Sequence, residues 1–216
     1  MDILKDISEK MVQRYSNRYK ELGYDIKTLG WGSTEQQYYR FSQTLQLGLN
    51  FDDKKIIDIG CGFGDYVNFL TNNNITFSSY LGVDINPDLI HESTERHAAN
   101  IKREFKVLDL TENREQKPLA DIGVMLGLLN LNLKNKMDNY EYTFNLINNA
   151  FSLVNEALVV DFISNRKDSS YPEEDFIFYH DPNRVLEFAT SLTDNFSLKH
   201  DYLPIPQKEF MLVLHK

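Results

Sequence analysis

The sequence predicts an α/β fold in which helices flank a mostly parallel sheet. Beyond residue 54, short apolar runs alternate with helical patterns, which is typical of parallel strands joined by crossover helices. The last two apolar runs are too close together for a parallel return, so they predict an antiparallel pair. Residues 1–50 instead show a helical periodicity. The 216 residues therefore divide into a helical segment, 1–50, and an α/β domain, 51–216.

The N-terminal segment is predicted to form two helices. Apolar and aromatic side chains recur at every fourth position and stop at Gly23, which predicts one amphipathic helix. A linker, 27–32, contains the only tryptophan, Trp31. Residues 33–36 have the sequence of a capping box, so a second helix is expected from there through Leu45. The stripe of the first helix consists of Ile3, Ile7, Met11, Tyr15 and Tyr19.

The α/β domain is predicted to contain seven strands. A cap residue followed by proline marks two helix starts, at Asn86 and Asp181, and further helices are expected from Gly64 and near Met137. The parallel strands are predicted at 55–59, 80–85, 104–109, 120–126 and 156–163. The closing antiparallel pair is predicted at 196–203 and 209–215, separated by 204–206.

Three alternate glycines, Gly60, Gly62 and Gly64, follow the first predicted strand and precede a helix. Glycines at such a turn let backbone N–H groups approach a ligand, where a Cβ atom would clash. Asp58 places a carboxylate at the end of that buried strand, which is costly unless the charge is paired or meets a cationic ligand. A turn that only closes a strand–helix unit is the alternative, and Asp58 favours a ligand site.

A second acid, Asp84, ends the next predicted strand. An acid at this position is placed to accept hydrogen bonds from two ribose hydroxyls, which adenosine dinucleotides and S-adenosylmethionine both contain. A dinucleotide site requires a third glycine at the position of Asp65, whose charge would repel a pyrophosphate. The loop therefore favours S-adenosylmethionine, whose methionine end offers an ammonium group.

The pattern Asp58-x-Gly60-x-Gly62-x-Gly64, together with Asp84, resembles the first motifs of class I S-adenosylmethionine-dependent methyltransferases. The predicted strand order is similar to the Rossmann-like, seven-stranded sheet of that family. The further cofactor contacts that the resemblance implies are Cys61 and Ile85 beside these motifs, Asp109 and Leu110 at the adenine, Gly127 and Leu128 near the methyl group, and Trp31 and Arg40 in the N-terminal segment.

Two other segments resemble a bacterial subgroup of the family that is associated with glycan or capsule biosynthesis. One is Trp31-Gly32-x-x-Glu35-Gln36 followed by Arg40-Phe41, and the other is the tail 200–202 followed by Glu209-Phe210. This resemblance implies that residues 1–50 are a substrate lid and that residues 51–216 form the catalytic domain. It also implies a small polar acceptor, and we expect O-methylation of a sugar or sugar-phosphate derivative.

Methyl transfer to a hydroxyl gains from a base, and the candidates are His200, His180 and Tyr179. His200 lies late in a predicted strand, while His180 and Tyr179 belong to an unusually long aromatic loop, 165–180, that we expect to cover the substrate. Each candidate also has a structural interpretation, as a histidine satisfied in its strand or as packing that fastens the loop. The remaining histidines that precede them, His91 and His97, are expected to be solvated.

Composition and motifs argue against several partners. A net charge of −9 disfavours nucleic-acid backbones, so no nucleic acid is expected. A single cysteine, a charged N-terminus and the lack of a membrane-length apolar run predict a cytoplasmic protein without membrane contact. No acid follows the fourth strand and Asp161 stands alone after the fifth, so no metal is expected. The sequence predicts no particular oligomeric state.

Three alternatives to O-methylation stay open at this point. N-methylation of a small molecule would use the same cofactor site. An NAD-type oxidoreductase is disfavoured by Asp65 in place of a third glycine. A catalytically silent scaffold that binds S-adenosylmethionine would keep the motifs and transfer no methyl group.

Overall fold

A computed structural model of the protein describes residues 3–112, 117–167, 171–201, 203 and 207–216. Within these residues, seven strands form one sheet in the order β3-β2-β1-β4-β5-β7-β6. The strands are β1 Lys55–Ile59, β2 Ser79–Asp84, β3 Arg103–Val107, β4 Ala120–Met125, β5 Val154–Ile163, β6 Phe196–Lys199 and β7 Glu209–His215. The helices are α1 Ile3–Leu22, α2 Thr34–Thr44, α3 Asp65–Asn72, α4 Pro87–His97, α5 Asn139–Ser152 and α6 Pro182–Leu192, with a short 3₁₀ helix at Ile26–Leu29.

The first five strands pair in parallel, and β7 is antiparallel to both of its neighbours, β5 and β6. The predicted fold class and the predicted antiparallel end of the sheet are therefore confirmed. The strand order reverses between β1 and β4, so their carboxyl ends enclose the crevice in which open α/β sheets bind ligands.

The sixth strand is shorter than predicted. Its pairing with β7 ends at Lys199, opposite Met211, whereas the apolar pattern predicted a strand through residue 203. Leu203 is 70% exposed, so the apolar residues at the end of the predicted strand do not mark a buried segment. The predicted connection at 204–206 lies outside the described residues.

Apolar side chains cover both faces of the sheet, as expected for strands that lie between two helical layers. In β1, Ile57 and Ile59 belong to one buried cluster, and Ile56 belongs to the other. Successive strand residues point to opposite faces, which explains this alternation. His97, which the sequence placed at the surface, is buried and stacks on Phe105.

The N-terminal segment is fastened to the α/β domain through both of its helices. On α1, Tyr19 donates a hydrogen bond to Glu92 at 2.6 Å, and the Val12 carbonyl accepts from the Asn86 amide at 3.0 Å. On α2, Phe41 packs edge-on against Tyr66 of α3. These contacts place both helices over the carboxyl ends of the central strands. Across the described ranges, no helix is long and apolar enough to cross a membrane.

Candidate active site

A cavity of about 460 Å³ lies between the N-terminal segment and the carboxyl ends of β1, β2 and β4. Its volume falls within the range of roughly 300–1,000 Å³ that is usual for small-molecule sites. The 3₁₀ helix and helices α1 and α2 supply one wall, and the strand ends with their loops supply the floor. The loop before α6 contributes further lining residues.

The glycine loop forms part of the floor and depends on its glycines for two reasons. Gly60 and Gly62 have φ angles of +78° and +53°, in the left-handed region that disfavours a side chain. A Cβ atom at Gly60 would also lie 2.9 Å from the Leu128 side chain, and one at Gly62 would lie 2.8 Å from Leu29. The loop backbone is thereby packed between the segment after β4 and the N-terminal segment.

Asp84 supports this loop from the end of β2. Its carboxylate accepts hydrogen bonds from the backbone N–H of Gly62 at 3.0 Å and from that of Asn86 at 2.9 Å. Burial raises the pKa of Asp84 above its usual value, and these hydrogen bonds oppose that shift. The carboxylate lines the cavity, so it is available to a polar ligand there.

Asp58 is the most deeply buried acid on the cavity wall, with 4% exposure. It accepts a short hydrogen bond from the Tyr80 hydroxyl. Burial raises the pKa of Asp58 to about 7, although the Tyr80 hydrogen bond acts in the opposite direction. The nearby Cys61 thiol is also buried, and its burial raises its pKa well above the usual value, so it is a poor nucleophile.

Asp65, in the first turn of α3, joins the glycine loop to the N-terminal segment. Tyr24 donates to its Oδ1 at 2.9 Å, and the side chain of Gln37 donates to its Oδ2 at 3.3 Å. The carboxylate also lies at the positive end of the α3 dipole, which favours a negative charge. Two elements of the N-terminal segment therefore bind the residue that directly follows the loop.

Arg40 is buried with two acids at the edge of the cavity. Its Nε donates to Glu209 at 2.7 Å and lies 3.3 Å from Asp161, while its guanidinium stacks 4.4 Å from the Trp31 ring centroid. Asp161 also accepts a hydrogen bond from Gly127 N–H at 2.6 Å. The sequence interpretation of Asp161 as an isolated acid is therefore wrong, because it lies within β5 and pairs with Arg40.

Most of the predicted cofactor contacts meet in this cavity. The residues that line it are Trp31, Arg40, Asp58, Gly60, Cys61, Gly62, Asp84, Ile85, Gly127 and Leu128. Gly64, Asp109 and Leu110 do not line it. Gly64 caps α3, and Asp109 accepts hydrogen bonds from the Thr111 backbone at 2.8 Å and its hydroxyl at 2.7 Å.

The three predicted base candidates lie away from the cavity wall. His180 is fully buried beside the rings of Phe162 and Phe178, and its burial lowers its pKa to about 3. His200 follows β6, packs edge-on against Phe210, and has a pKa lowered by burial. The Tyr179 hydroxyl accepts hydrogen bonds from Glu174 N–H at 3.1 Å and from Gln207 at 3.4 Å. The structure brings none of these three side chains to the cavity wall.

Several residues of the cavity wall were not among the predicted site residues. Glu174 and Gln207 line it together with Gln36 and Asn130. Tyr171 and Phe176, which the sequence assigned to a substrate cover, also line it. The unusual length of the loop was the available sequence signal for these residues.

Metal ligands are not grouped at this site. Among the described residues, no cluster of three or more histidine, cysteine, aspartate or glutamate side chains is arranged to hold a metal ion. The acids on the cavity wall are instead engaged by backbone N–H groups, tyrosine hydroxyls and glutamine.

Residues 57–151 match a family model described as a methyltransferase domain. The matched span begins in β1 and ends in α5, so it contains the glycine loop, Asp84 and the segment after β4. A search of curated proteins found no significant match.

Three solved structures share the fold at low sequence identity. Magnesium protoporphyrin IX methyltransferase from Synechocystis PCC 6803, with bound S-adenosylhomocysteine, is 14% identical with a TM-score of 0.65, over 98% of this chain and 99% of that chain. Phosphoethanolamine N-methyltransferase 1 from Haemonchus contortus is 12% identical with a TM-score of 0.68, over 97% and 49% of the two chains. The small RNA methyltransferase HEN1 is 13% identical with a TM-score of 0.65, over 85% and 26%.

Proposed function

We propose that this S-adenosylmethionine-dependent methyltransferase methylates an oxygen atom of a small polar acceptor, a sugar or sugar-phosphate derivative. The observation that carries the acceptor class is the set of amide and aromatic side chains on the cavity wall, Gln36, Asn130, Gln207, Tyr171 and Phe176. Hydroxyl-rich molecules need groups that both donate and accept hydrogen bonds, together with flat apolar surfaces. A role in glycan or capsule biosynthesis is a further proposal, supported by the sequence resemblance alone.

The residues of the cavity fit S-adenosylmethionine chemically. Asp84 offers a carboxylate to ribose hydroxyls and braces the loop through Gly62 N–H. Asp58, with a pKa raised to about 7, gains from a cationic neighbour, and the ammonium group of the cofactor is one. We propose that the backbone of Gly60 and Gly62 approaches the cofactor and that Gly127 and Leu128 lie beside its methyl group.

The acceptor is assigned to the part of the cavity near Gly127. Trp31 lies directly against Gly127, since a Cβ atom there would be 3.0 Å from the indole. Asn130 is held by a hydrogen bond from Ile163 N–H at 2.8 Å, and Gln207 reaches Tyr179. These fixed amides support selection of hydroxyl groups, because a site built to hydrogen-bond a substrate rejects analogues that leave its polar groups unpaired.

Residues 1–50 are proposed to act as the lid over this site. Helix α1 contributes Arg14 and Arg18 to the cavity wall, one helical turn apart. Guanidinium groups suit phosphate oxygens, which supports a phosphorylated acceptor. Water exclusion by such a lid strengthens electrostatic interactions within the site.

A small-molecule acceptor and a cytoplasmic location are also proposals. The fold is shared with a small RNA methyltransferase, so the fold alone does not select a small molecule. The net charge of −9 supports a small acceptor, because neutralisation of a nucleic-acid backbone requires clustered lysine and arginine.

The acceptor proposal is tested by methyl labelling. The full chain is incubated with S-adenosylmethionine carrying a deuterated methyl group and a mixture of hexose 1-phosphates and 6-phosphates, and products are identified by mass spectrometry. A labelled methyl ether is the expected product. If instead a cell metabolite extract yields label on an amine nitrogen, the enzyme is an N-methyltransferase and the sugar proposal is wrong.

A further inference from the structure

Tyr171 and Glu174 form a hydrogen-bonded pair on the cavity wall that the sequence analysis did not assign to catalysis. The Tyr171 hydroxyl donates to Glu174 Oε1, and both side chains line the cavity. Both residues are half-buried, so they face the cavity without being sealed from it. A phenol that is hydrogen-bonded to a carboxylate can relay a proton, since the phenol oxygen takes a proton from a neighbouring hydroxyl and passes its own proton to the carboxylate.

The pair is fixed relative to the segment that follows β4. The backbone N–H of Asn132 donates to the Phe176 carbonyl at 2.9 Å, and Phe178 N–H donates to the Asn130 carbonyl at 3.0 Å. Ile177 N–H donates to the Glu174 carbonyl at 2.9 Å, which closes a turn around the glutamate. The turn that contains Glu174 is therefore joined, through Phe176 and Phe178, to residues three and five positions beyond Gly127.

In the Tyr171–Glu174 hydrogen bond, the tyrosine is the donor and is therefore protonated at rest. The hydrogen bond to Glu174 raises the pKa of Tyr171 to about 12, so the phenol keeps its proton and donates it in the hydrogen bond to Glu174. Behind the pair, Tyr179 accepts a hydrogen bond from Glu174 N–H and therefore supports the backbone rather than the carboxylate. The Tyr171 oxygen keeps lone pairs with which it can accept a further hydrogen bond, and Tyr171 lines the cavity.

We infer that Tyr171 and Glu174 together accept the proton of the acceptor hydroxyl during methyl transfer, an inference that rests on the proposed O-methyltransferase function. The bound cofactor supplies a methyl group on a sulfonium, which leaves with its bonding electron pair on sulfur as the new oxygen–carbon bond forms. The hydroxyl proton moves to Tyr171 Oη while Tyr171 passes its own proton to Glu174. Glu174 becomes a neutral acid and returns the proton to water after the product leaves.

Tyr171 and Glu174 are better placed to act as the base than the candidate side chains His200, His180 and Tyr179. Those side chains lie off the cavity wall, whereas Tyr171 and Glu174 lie on it. A positioned base typically contributes about 10²- to 10⁴-fold in rate. Loss of either member should therefore lower turnover by that order without altering the cofactor site.

The test uses Tyr171→Phe, Glu174→Gln and the double variant, with Glu173→Gln and Tyr38→Phe as controls. Glu173 is adjacent and pairs with Lys167, and Tyr38 lies exposed on α2, so neither control changes the cavity wall. Turnover on the hexose-phosphate mixture should fall about 10²- to 10⁴-fold in both single variants, with no further large loss in the double variant, because the two groups act as a unit. Calorimetric S-adenosylhomocysteine affinity should be unchanged throughout.

A second measurement is independent of turnover. Ultraviolet titration measures tyrosine ionisation, and the curve of Tyr171 is the wild type minus Tyr171→Phe. This difference should show a phenol with a raised pKa. In the Glu174→Gln background, where the double variant is subtracted instead, the pKa of Tyr171 should return toward its ordinary value. If both single variants methylate at the wild-type rate, or if Glu174→Gln leaves the titration of Tyr171 unchanged, the inference is wrong and the proposed function still stands. A wild-type enzyme that binds S-adenosylhomocysteine but methylates no hydroxyl of the mixture would overturn the proposed function and the inference together.

Discussion

Arg40 and Glu209 lie 169 positions apart in the sequence and are joined by a 2.7 Å hydrogen bond from the guanidinium Nε to the carboxylate. The contact joins helix α2 to the first residue of β7. The carboxylate of Asp161 on β5 lies 3.3 Å from the same guanidinium and also accepts a hydrogen bond from Gly127 N–H. The N-terminal segment, the end of the sheet and the loop after β4 are thereby linked through one cation.

Arg40→Met is expected to destabilise the protein by about 3–5 kcal/mol, because it leaves two buried carboxylates without their cation. Urea unfolding followed by circular dichroism measures the change. Adding Glu209→Gln to Arg40→Met should recover part of the loss. If the two substitutions instead reduce stability additively, Arg40 and Glu209 are not energetically coupled.

Asp84→Asn is expected to weaken S-adenosylhomocysteine binding by about 10- to 150-fold, since a hydrogen bond to a charged group contributes roughly 1.5–3 kcal/mol. The variant also loses part of the support that Asp84 gives to Gly62 N–H. Isothermal titration calorimetry gives the affinity, and Asp194→Asn on an exposed bend is the matched control. Equal affinities in both variants would remove Asp84 from the cofactor site.

The affinity for S-adenosylhomocysteine is expected to fall as the pH drops below about 7. Asp58 has its pKa raised to about 7 by burial, so below that pH it carries a proton in the free protein. A proton must then be released before the carboxylate can face the cofactor ammonium group, at a cost that approaches tenfold in affinity per pH unit. Calorimetry between pH 5.5 and 8 should show this slope, and Asp58→Asn should bind weakly without it.

Acid should destabilise the wild-type protein partly through His180. Burial lowers its pKa from 6.5 to about 3, so between these pH values the unfolded chain binds a proton that the folded protein does not. Stability from this group is therefore complete above pH 6.5 and is lost as the pH falls, by up to about 1.4 kcal/mol per pH unit.

His180→Phe, which keeps a ring among Phe162 and Phe178, should flatten the acid side of the stability profile measured by urea unfolding from pH 7 to pH 5. The same slope in wild type and variant would show that another group is responsible. Thr143→Val provides a second comparison for the acid side of the stability profile, because it removes the hydroxyl that lies 3.4 Å from His180 Nε2.

Local patterns predicted the sheet, and they predicted that Asp58, the glycine loop and Asp84 would meet at one site. Asp58, the glycine loop and Asp84 lie within 27 consecutive residues, 58–84, and their spacing follows directly from one strand–loop–helix–strand unit. A short-range pattern is sufficient there because the fold places consecutive strand ends side by side.

The rest of the cavity wall depends on contacts between residues that are distant in sequence. Nothing near Arg40 indicates that its partners are Asp161 and Glu209, and an acid within an apolar strand was the only available signal. His180 was a reasonable base candidate from its loop, but burial against aromatic rings follows from packing that the sequence does not display. Glu174 was not predicted as a site residue because a turn, rather than a strand end, places it on the cavity wall.

The hydrogen bonds from Tyr24 and Gln37 to Asp65 have a kinetic consequence. Since both donors belong to the N-terminal segment and Asp65 follows the glycine loop directly, movement of that segment away from the domain would break both hydrogen bonds next to the loop. We therefore expect an ordered reaction cycle, in which the spent cofactor departs last and its departure requires the same opening motion that admits a fresh one. The turnover number would then measure how often this gate opens, rather than how fast the methyl group moves.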